Sequence, residues 1–240
     1  MKHSLFISDL HLSADRPEVL SAFAEFLATT AVQADALYIL GDLFESWAGD
    51  DDLDAPFNRQ VVSALAKLSD SGTALFLMHG NRDFLMGEAL ADACHARLLP
   101  DPSLHVIHGA ATLLMHGDTL CTDDTAYMTF REQVRDPRWQ RDFLAQPLAR
   151  RKAQIAQLRE QSRLAQRRKT AEIMDVNAES VINALRQRGY PRLIHGHTHR
   201  PALHVHEIDS HRCERWVLPD WYGQGGYLRC DVHGCAAIRI

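Results

Sequence analysis

The chain has 240 residues, 46% hydrophobic and 24% charged, with a net charge of −5, enough for one large α/β domain carrying an insertion. No apolar run approaches the roughly 20 residues that a bilayer crossing needs. The start, Met1-Lys2-His3-Ser4, runs straight into a strand-like segment, so no signal peptide is expected and the predicted location is cytoplasmic.

Ser4–Ser8 is a short apolar run ending on Asp9 and predicts a buried strand. A helix is expected from Pro17 to Thr30, with Val19, Leu20, Phe23, Phe26 and Leu27 on one face. Ala36–Leu40 gives a second strand, and a helix from about Asp54 through Phe57, Val61, Leu65 and Leu68 stops near Ser71-Gly72. Ala74–Met78 gives a third strand, Asp83–Cys94 reads as helix, and Thr112–Met115 as a fourth strand. Such alternation predicts βαβ units.

From about Thr125 to Met174 strand-like runs cease. This stretch is rich in Gln and Arg, with Pro137 and Pro147 as breakers, and predicts a helical insertion (125–174) within a single domain spanning 1–240. Helix resumes over Val176–Arg188, and Arg192–Ile194 is a strand. Short β runs at Leu203–Ile208, Cys213–Leu218, Tyr227–Asp231 and Ala236–Ile240 predict a second sheet packed on the first, with His233-Gly234 as a hairpin turn. Five cysteines without a C-x-x-C pair predict free thiols in a reducing compartment rather than a zinc knuckle.

Charge is unevenly spread. Between Arg141 and Lys169, nine Lys/Arg stand against Asp142 and Glu160, +7 locally, leaving −12 elsewhere. A solvated helix face explains most such runs; the alternative is a patch for phosphates or an anionic membrane surface. No aromatic platform or recognised motif accompanies it, so no nucleic-acid partner is expected.

Five blocks each follow a predicted strand: Asp9-Leu10-His11, Gly41-Asp42, Gly80-Asn81-Arg82-Asp83, His116-Gly117-Asp118 and His195-Gly196-His197. In open α/β sheets the binding crevice lies at the carboxyl ends of strands. Within the blocks, Asp9, His11, Asp42, Asn81, His116, His195 and His197 supply four imidazoles, two carboxylates and one amide oxygen, the inventory of a two-metal hydrolytic site. Two ions about 3.5–4 Å apart can hold a bridging hydroxide and clamp a phosphoryl oxygen. One carboxylate must touch both ions. Asp42 is the candidate bridge, because Gly41 lets the backbone approach closely. Asp9 and His11, like His195 and His197, are two apart and project to one side of an extended segment. A donor set without thiolate favours Mn²⁺, Fe²⁺ or Zn²⁺. Asp118 and His199 are expected to support the ligands beside them. Singly, Asp-x-His and Gly-Asp are common turn chemistry; their order along the chain carries the argument.

These blocks resemble the calcineurin-like metallophosphoesterase family from Asp9 to His199. The resemblance implies an α/β fold, a four-layer α-β-β-α sandwich with a helical cap insertion. It assigns Asp9, His11, Asp42 and His197 to one ion, and Asp42, Asn81, His116 and His195 to the other. In one departure, Arg82 replaces the histidine that in the broad family helps protonate the leaving group. Gly80–Leu85, Asp42–Trp47, Met174-Asp-Val-Asn and His195-Gly-His-Thr-His-Arg-Pro are similar to one branch of the family. That branch splits the pyrophosphate of UDP-2,3-diacylglucosamine into UMP and 2,3-diacylglucosamine 1-phosphate in lipid A synthesis. It implies two Mn²⁺ ions, Arg82 among the catalytic residues, and substrate contacts by Asn81, Arg82, Asp124, Ser162, Gln166, Lys169 and His195. A monomer, peripheral on the anionic cytoplasmic face of the inner membrane, is expected.

Elementary chemistry suits the arginine. A departing phosphate monoester, with a second pKa of about 6, leaves unprotonated near neutral pH, so a permanent cation serves it better than a proton donor. Ser162, Gln166 and Lys169, spaced by four and three, line one helix face that Arg159 extends. Met128, Phe130, Trp139, Phe143, Leu144, Leu148, Ile155 and Leu158 either line an acyl-chain chamber or form the insertion's own core. Arg150, Arg151 and Lys152 are expected to face the membrane. The rival readings are another metallophosphoesterase activity, which Arg82 and the insertion disfavour, and a non-catalytic scaffold, which should have lost ligands.

Overall fold

Three apolar strands, β1 (Ser4–Ile7), β2 (Ala36–Leu40) and β3 (Ala74–Met78), run parallel with Ser4, Ala36 and Ala74 in register. The computed structural model describes residues 2–166, 173, 175–223 and 225–240. Beyond β3 lies β4 (Ala96–Leu99), and beyond β1 lie the antiparallel β10 (Gly226–Asp231) and β11 (Gly234–Arg239), completing a six-stranded sheet. A second, five-stranded sheet holds β5 (Ser103–Ile107), β6 (Ala110–Met115), β7 (Arg192–His195), β9 (His211–Val217) and β8 (Ala202–Ile208), in that spatial order.

Strands covered on both faces send alternate residues to two cores. Leu5, Ile7, Leu37, Ile39, Leu75 and Leu77 pack with Phe23, Phe26, Val61, Leu65 and Leu90. These come from helices α1 (Pro17–Thr29), α2 (Pro56–Asp70) and α3 (Glu88–Ala93). The alternate residues Phe6, Tyr38, Leu40 and Met78 meet Ile107, Leu114 and Ile194 of the second sheet. Leu113, Met115 and Leu193 pack on its other face under Val181 and Leu185 of α7 (Ala178–Arg186). Three cores thus separate four layers, α-β-β-α, as the family resemblance implies.

Several local expectations are corrected. Asp83–Cys94 is not one helix: α3 begins only at Glu88. Asp83 is fully buried and accepts hydrogen bonds from the Gly80, Asp42 and Phe44 N–H groups, which holds the chain after it in a turn. β4 and β5 form where the sequence reading has no strand. The tail strands do not make a sheet of their own; β8 and β9 extend the second sheet, while β10 pairs with β1. Cys230 and Cys235 face each other across the β10–β11 register, Cα atoms 4.1 Å apart, as a disulfide. The free-thiol expectation therefore fails for this pair and fits Cys94, Cys121 and Cys213.

Between β6 and β7 stand α4 (Thr125–Arg135), α5 (Pro137–Leu144) and α6 (Leu148–Gln166). Asp124 caps α4 by accepting the Tyr127 N–H, and Asp136 caps α5 by accepting those of Arg138 and Trp139. Pro137 opens α5, where its missing N–H costs nothing. Arg151, at the base of α6, is 1% exposed. Its guanidinium donates to Gln146 O at 3.0 Å, to Ala48 O and to the Asp51 carboxylate. Arg151 therefore does not face a membrane; three acceptors at the root of the cap hold it. Lys152 is paired with Asp52 at 2.7 Å. Among the described residues no helix is long and apolar enough to cross a membrane.

Candidate metal centre

The C-terminal ends of β1, β2, β3, β6 and β7 deliver the five blocks to one place, and hydrogen bonds tie the two sheets together there. The His197 N–H donates to Asp9 Oδ2 at 2.8 Å and His116 Nδ1 lies 2.9 Å from Leu40 O, while within the second sheet the Gly196 N–H donates to His116 O at 2.9 Å. Asp9 (φ 54°), His11 (50°), Asp42 (53°), His197 (69°) and His199 (54°) all occupy the left-handed backbone region. Side-chain-bearing residues reach it at a cost of about 1–3 kcal/mol each, and such strain clusters at functional sites. Gly80 is required by close approach: a Cβ there would lie 2.1 Å from Asp42 Oδ1.

Asp42 presents its two oxygens to two histidines. Oδ2 is 3.7 Å from His11 Nε2, and Oδ1 is 3.9 Å from His116 Nε2, the disposition a bridging carboxylate needs. Asp9 uses Oδ2 on Ser8 Oγ (2.6 Å) and His197 N, while its buried Oδ1 has no well-aligned hydrogen-bond partner among the described residues. His11 Nε2 lies 4.0 Å and His199 Nε2 3.5 Å from that Oδ1. Ligand atoms of Asp9, His11 and His199, and of Asp9, Asp42 and His116, lie within 4.8 Å of one another. Asn81 Oδ1 sits 2.9 Å from both His116 Nε2 and His197 Nδ1. A bare buried carboxylate oxygen among imidazoles fits divalent cations.

Electrostatics agree with that donor set. Burial lowers His11, and takes His195 down to about 3 and His197 to about 4, leaving the neutral rings a metal requires. Burial would also lower His116, but Asp42, Asp9 and Asp118 push it up to about 9; a cation in their midst would take over that role. Burial, with Asp42 close by, raises Asp83 to about 6. Asp118 runs the other way. Burial alone would raise it, yet His116, His197, Arg131 and the Tyr127 hydroxyl hold the carboxyl well below the usual range. Arg131 Nε donates to Asp118 at 2.7 Å and Tyr127 Oη at 2.6 Å, which ties α4 to the fourth block.

Not every expected residue converges. His195 is buried, but its Nδ1 lies 2.9 Å from Gly196 O and its Nε2 3.2 Å from Arg215 Nη1. Lys169 and the side chain of Gln166 lie outside the described residues. His199 stands with the ligands rather than behind them, and Glu45 Oε2 lies 3.0 Å from His11 Nδ1 as a charged neighbour without hydrogen-bond alignment. Glu45 had a faint signal, three residues after Asp42; Arg131 and Tyr127, on a helix far along the chain, had none.

Two cavities adjoin. A polar one of about 430 Å³ is lined by His11, Asp42, Asn81, Arg82, Asp124, Ser162, His197 and His199. An apolar one of about 310 Å³ is lined by Trp47, Phe84, Phe130, Trp139, Phe143, Ile155 and Leu158, and shares Asn81, Arg82, Tyr127 and Ser162 with the first.

A family model described as calcineurin-like phosphoesterase matches residues 3–201. The chain belongs to the calcineurin-like phosphoesterase family. Similar relatives of this phosphoesterase include the UDP-2,3-diacylglucosamine hydrolase of Aromatoleum aromaticum, 56% identical over 96% of this chain and 94% of its own. The protein of that name from Xanthomonas axonopodis pv. citri is 50% identical over 99% and 98%, and that from Cellvibrio japonicus 48% over 98% and 97%.

Proposed function

We propose that this chain hydrolyses the pyrophosphate bond of UDP-2,3-diacylglucosamine to UMP and 2,3-diacylglucosamine 1-phosphate, with two Mn²⁺ ions. The observation that carries this reading is the shared wall. A metal centre built for phosphoryl chemistry opens through Asn81, Arg82, Tyr127 and Ser162 into an apolar chamber. Such a pair of compartments suits a substrate with a phosphate core and acyl chains. Relatives 48–56% identical over nearly the whole chain carry that substrate in their name.

Bound at the centre, two divalent ions supply Lewis-acid stabilisation of charge on phosphoryl oxygens and acidify water. Asp42 would span them, Asp9, His11 and His197 would hold one, and Asn81, His116 and His195 the other, His195 exchanging its present partners for the ion. Arg82, on the rim of both cavities, stabilises charge growing on the departing phosphate. Asp124 and Ser162 border the polar cavity, and the sugar-phosphate would lie against them; the family resemblance implies Gln166 and Lys169 as further contacts.

We further propose a monomer resting peripherally on the anionic cytoplasmic face of the inner membrane. Phe130, Leu144, Leu158 and Leu164 of the cap are 37–50% exposed beside the exposed Arg150 and Arg163, a mixture that favours interfacial attachment. The test is direct: incubate the chain with UDP-2,3-diacylglucosamine and Mn²⁺ and follow UMP, with cyclic nucleotide and phosphopeptide in parallel. UMP release abolished by chelation and restored best by Mn²⁺ is expected; preference for either parallel substrate would refute the reading. Arg150→Gln with Arg163→Gln should weaken binding to anionic vesicles, and equal partitioning would remove the membrane proposal.

A further inference from the structure

Tyr127, Arg131 and Arg135 of α4 are spaced by four and form one stripe along the helix. That stripe reaches from the cap to two of the ligand-bearing loops. Tyr127 Oη and Arg131 Nε donate to Asp118, two residues after His116. One turn further on, Arg135 Nη2 donates to Gly80 O at 2.9 Å. The adjacent stripe, Ala126, Phe130 and Val134, lines the apolar chamber instead. α4 therefore stands between the chamber and the loops of Asn81 and His116, whose ligand atoms lie 2.9 Å apart.

The bond from Arg135 falls on the one peptide that aims Asn81. Gly80 has no side chain to anchor the turn, since a Cβ there would strike Asp42. Its carbonyl and the Asn81 N–H share a rigid plane, so fixing the carbonyl fixes where Asn81 begins. The planes on either side are held by other bonds: the Gly80 N–H donates to Asp83 at 2.8 Å, and the Arg82 N–H to Asp42 at 2.8 Å. The Arg135 guanidinium also lies over the Phe84 ring, 5.2 Å from its centroid, a contact that steadies the donor.

We propose that Arg135 is a positioning residue for the ion that Asn81 and His116 would hold: by pinning the Gly80–Asn81 peptide it keeps Asn81 Oδ1 aimed into the centre. The inference rests on the two-ion reading above. Charge makes the sign of the effect diagnostic. A cation beside a metal site repels the metal, so removing Arg135 should tighten Mn²⁺ binding if only its charge mattered. Lost positioning predicts the opposite, because a partner standing behind a ligand is worth about 10–100-fold in metal affinity.

The test titrates the full chain with Mn²⁺ and follows the paramagnetic resonance of the spin-coupled ion pair, which appears only when both sites are filled. Arg135→Met keeps the bulk and removes the donors. It should raise the Mn²⁺ needed for the pair at least about tenfold, with the ion of Asp9, His11 and His197 bound within twofold of the parent. Arg138→Gln, which removes an exposed charge from α5, should leave both unchanged. Arg135 also lines a cavity of about 630 Å³ beside α4, which gives guanidinium ion a way into Arg135→Ala. Millimolar guanidinium should restore the pair signal there, and urea should not. Unchanged or tighter pair formation in Arg135→Met, equal weakening of both ions, or an Arg135→Ala chain that guanidinium leaves unrestored would each overturn the proposal. A parent chain that never shows the coupled pair removes the two-ion centre itself. Loss of the pair in Asn81→Ala beside an unaffected Arg135→Met removes the role of Arg135 alone.

Discussion

Arg151→Met separates a buried lock from a surface charge. The guanidinium serves two backbone carbonyls, Gln146 O and Ala48 O, and the Asp51 carboxylate. A hydrogen bond from a charged donor is worth about 1.5–3 kcal/mol. Asp51 is 57% exposed, so water replaces much of its pairing and it adds little. Methionine fills most of the volume and recovers some packing, which leaves a net loss of about 3 kcal/mol. For a chain of this size 1 kcal/mol moves the melting temperature by about 2–4 °C, so Arg151→Met should melt about 6–12 °C lower. Its exposed neighbour gives the control: Arg150→Met should stay within about 0.5 kcal/mol of the parent. Thermal and urea unfolding followed by circular dichroism read both. If Arg151→Met melts within 2 °C of the parent, or weakens vesicle binding without loss of stability, the buried assignment is wrong.

Three further outcomes follow from the site. Asp118→Asn removes the charged acceptor of Arg131 and Tyr127 and should cost about 3 kcal/mol at pH 7. Because the native carboxyl titrates below its unfolded value, that stabilisation is present above about pH 4 and lost as pH falls through the native pKa. The urea-midpoint gap between parent and variant should therefore shrink below about pH 4, and a pH-independent gap would contradict the assignment. Arg82→His should shift preference from the pyrophosphate toward an alkyl phosphodiester, which needs a proton on its leaving oxygen; an unchanged ratio of kcat/KM would remove the argument for Arg82. Phe143→Ala deletes a buried ring stacked 4.8 Å from Trp139 and should lower stability by about 3–5 kcal/mol. It should also raise KM more for long-chain than for short-chain substrates, and a uniform change in KM would deny Phe143 a place in an acyl chamber.

Legibility in the sequence followed the range of the forces involved. β1, β2 and β3 are near-continuous apolar runs, so burial on both faces is written locally, and their expected bounds match the strands to within a residue. Ligand pairs such as Asp9 and His11 were readable because one loop supplies both. Asp83 opens a stretch whose residues read as helix, while its carboxylate is claimed by N–H groups 39 and 41 residues away as well as by Gly80. Hydrogen bonds across such distances leave no periodicity. The tail strands were likewise recognisable as strands, but which sheet each joins depends on the edge that β1 leaves open to β10.

The basic run from Arg141 to Lys169 makes the same point about charge. On a helix with a single wet face, many like charges amount to a solvated patch. α6 instead has the apolar chamber on one side, a cavity of about 700 Å³ shared with the loops after β1 and β2 on another, and the loop around Asp51 at its base. Its cations accordingly divide: Arg151 inward onto carbonyls, Lys152 and Arg159 onto acidic partners at a cavity wall, Arg150 to the surface. Net charge was legible from composition. The work each charge does was set by packing, so neutralising them as a group would mix a stability defect with a binding defect.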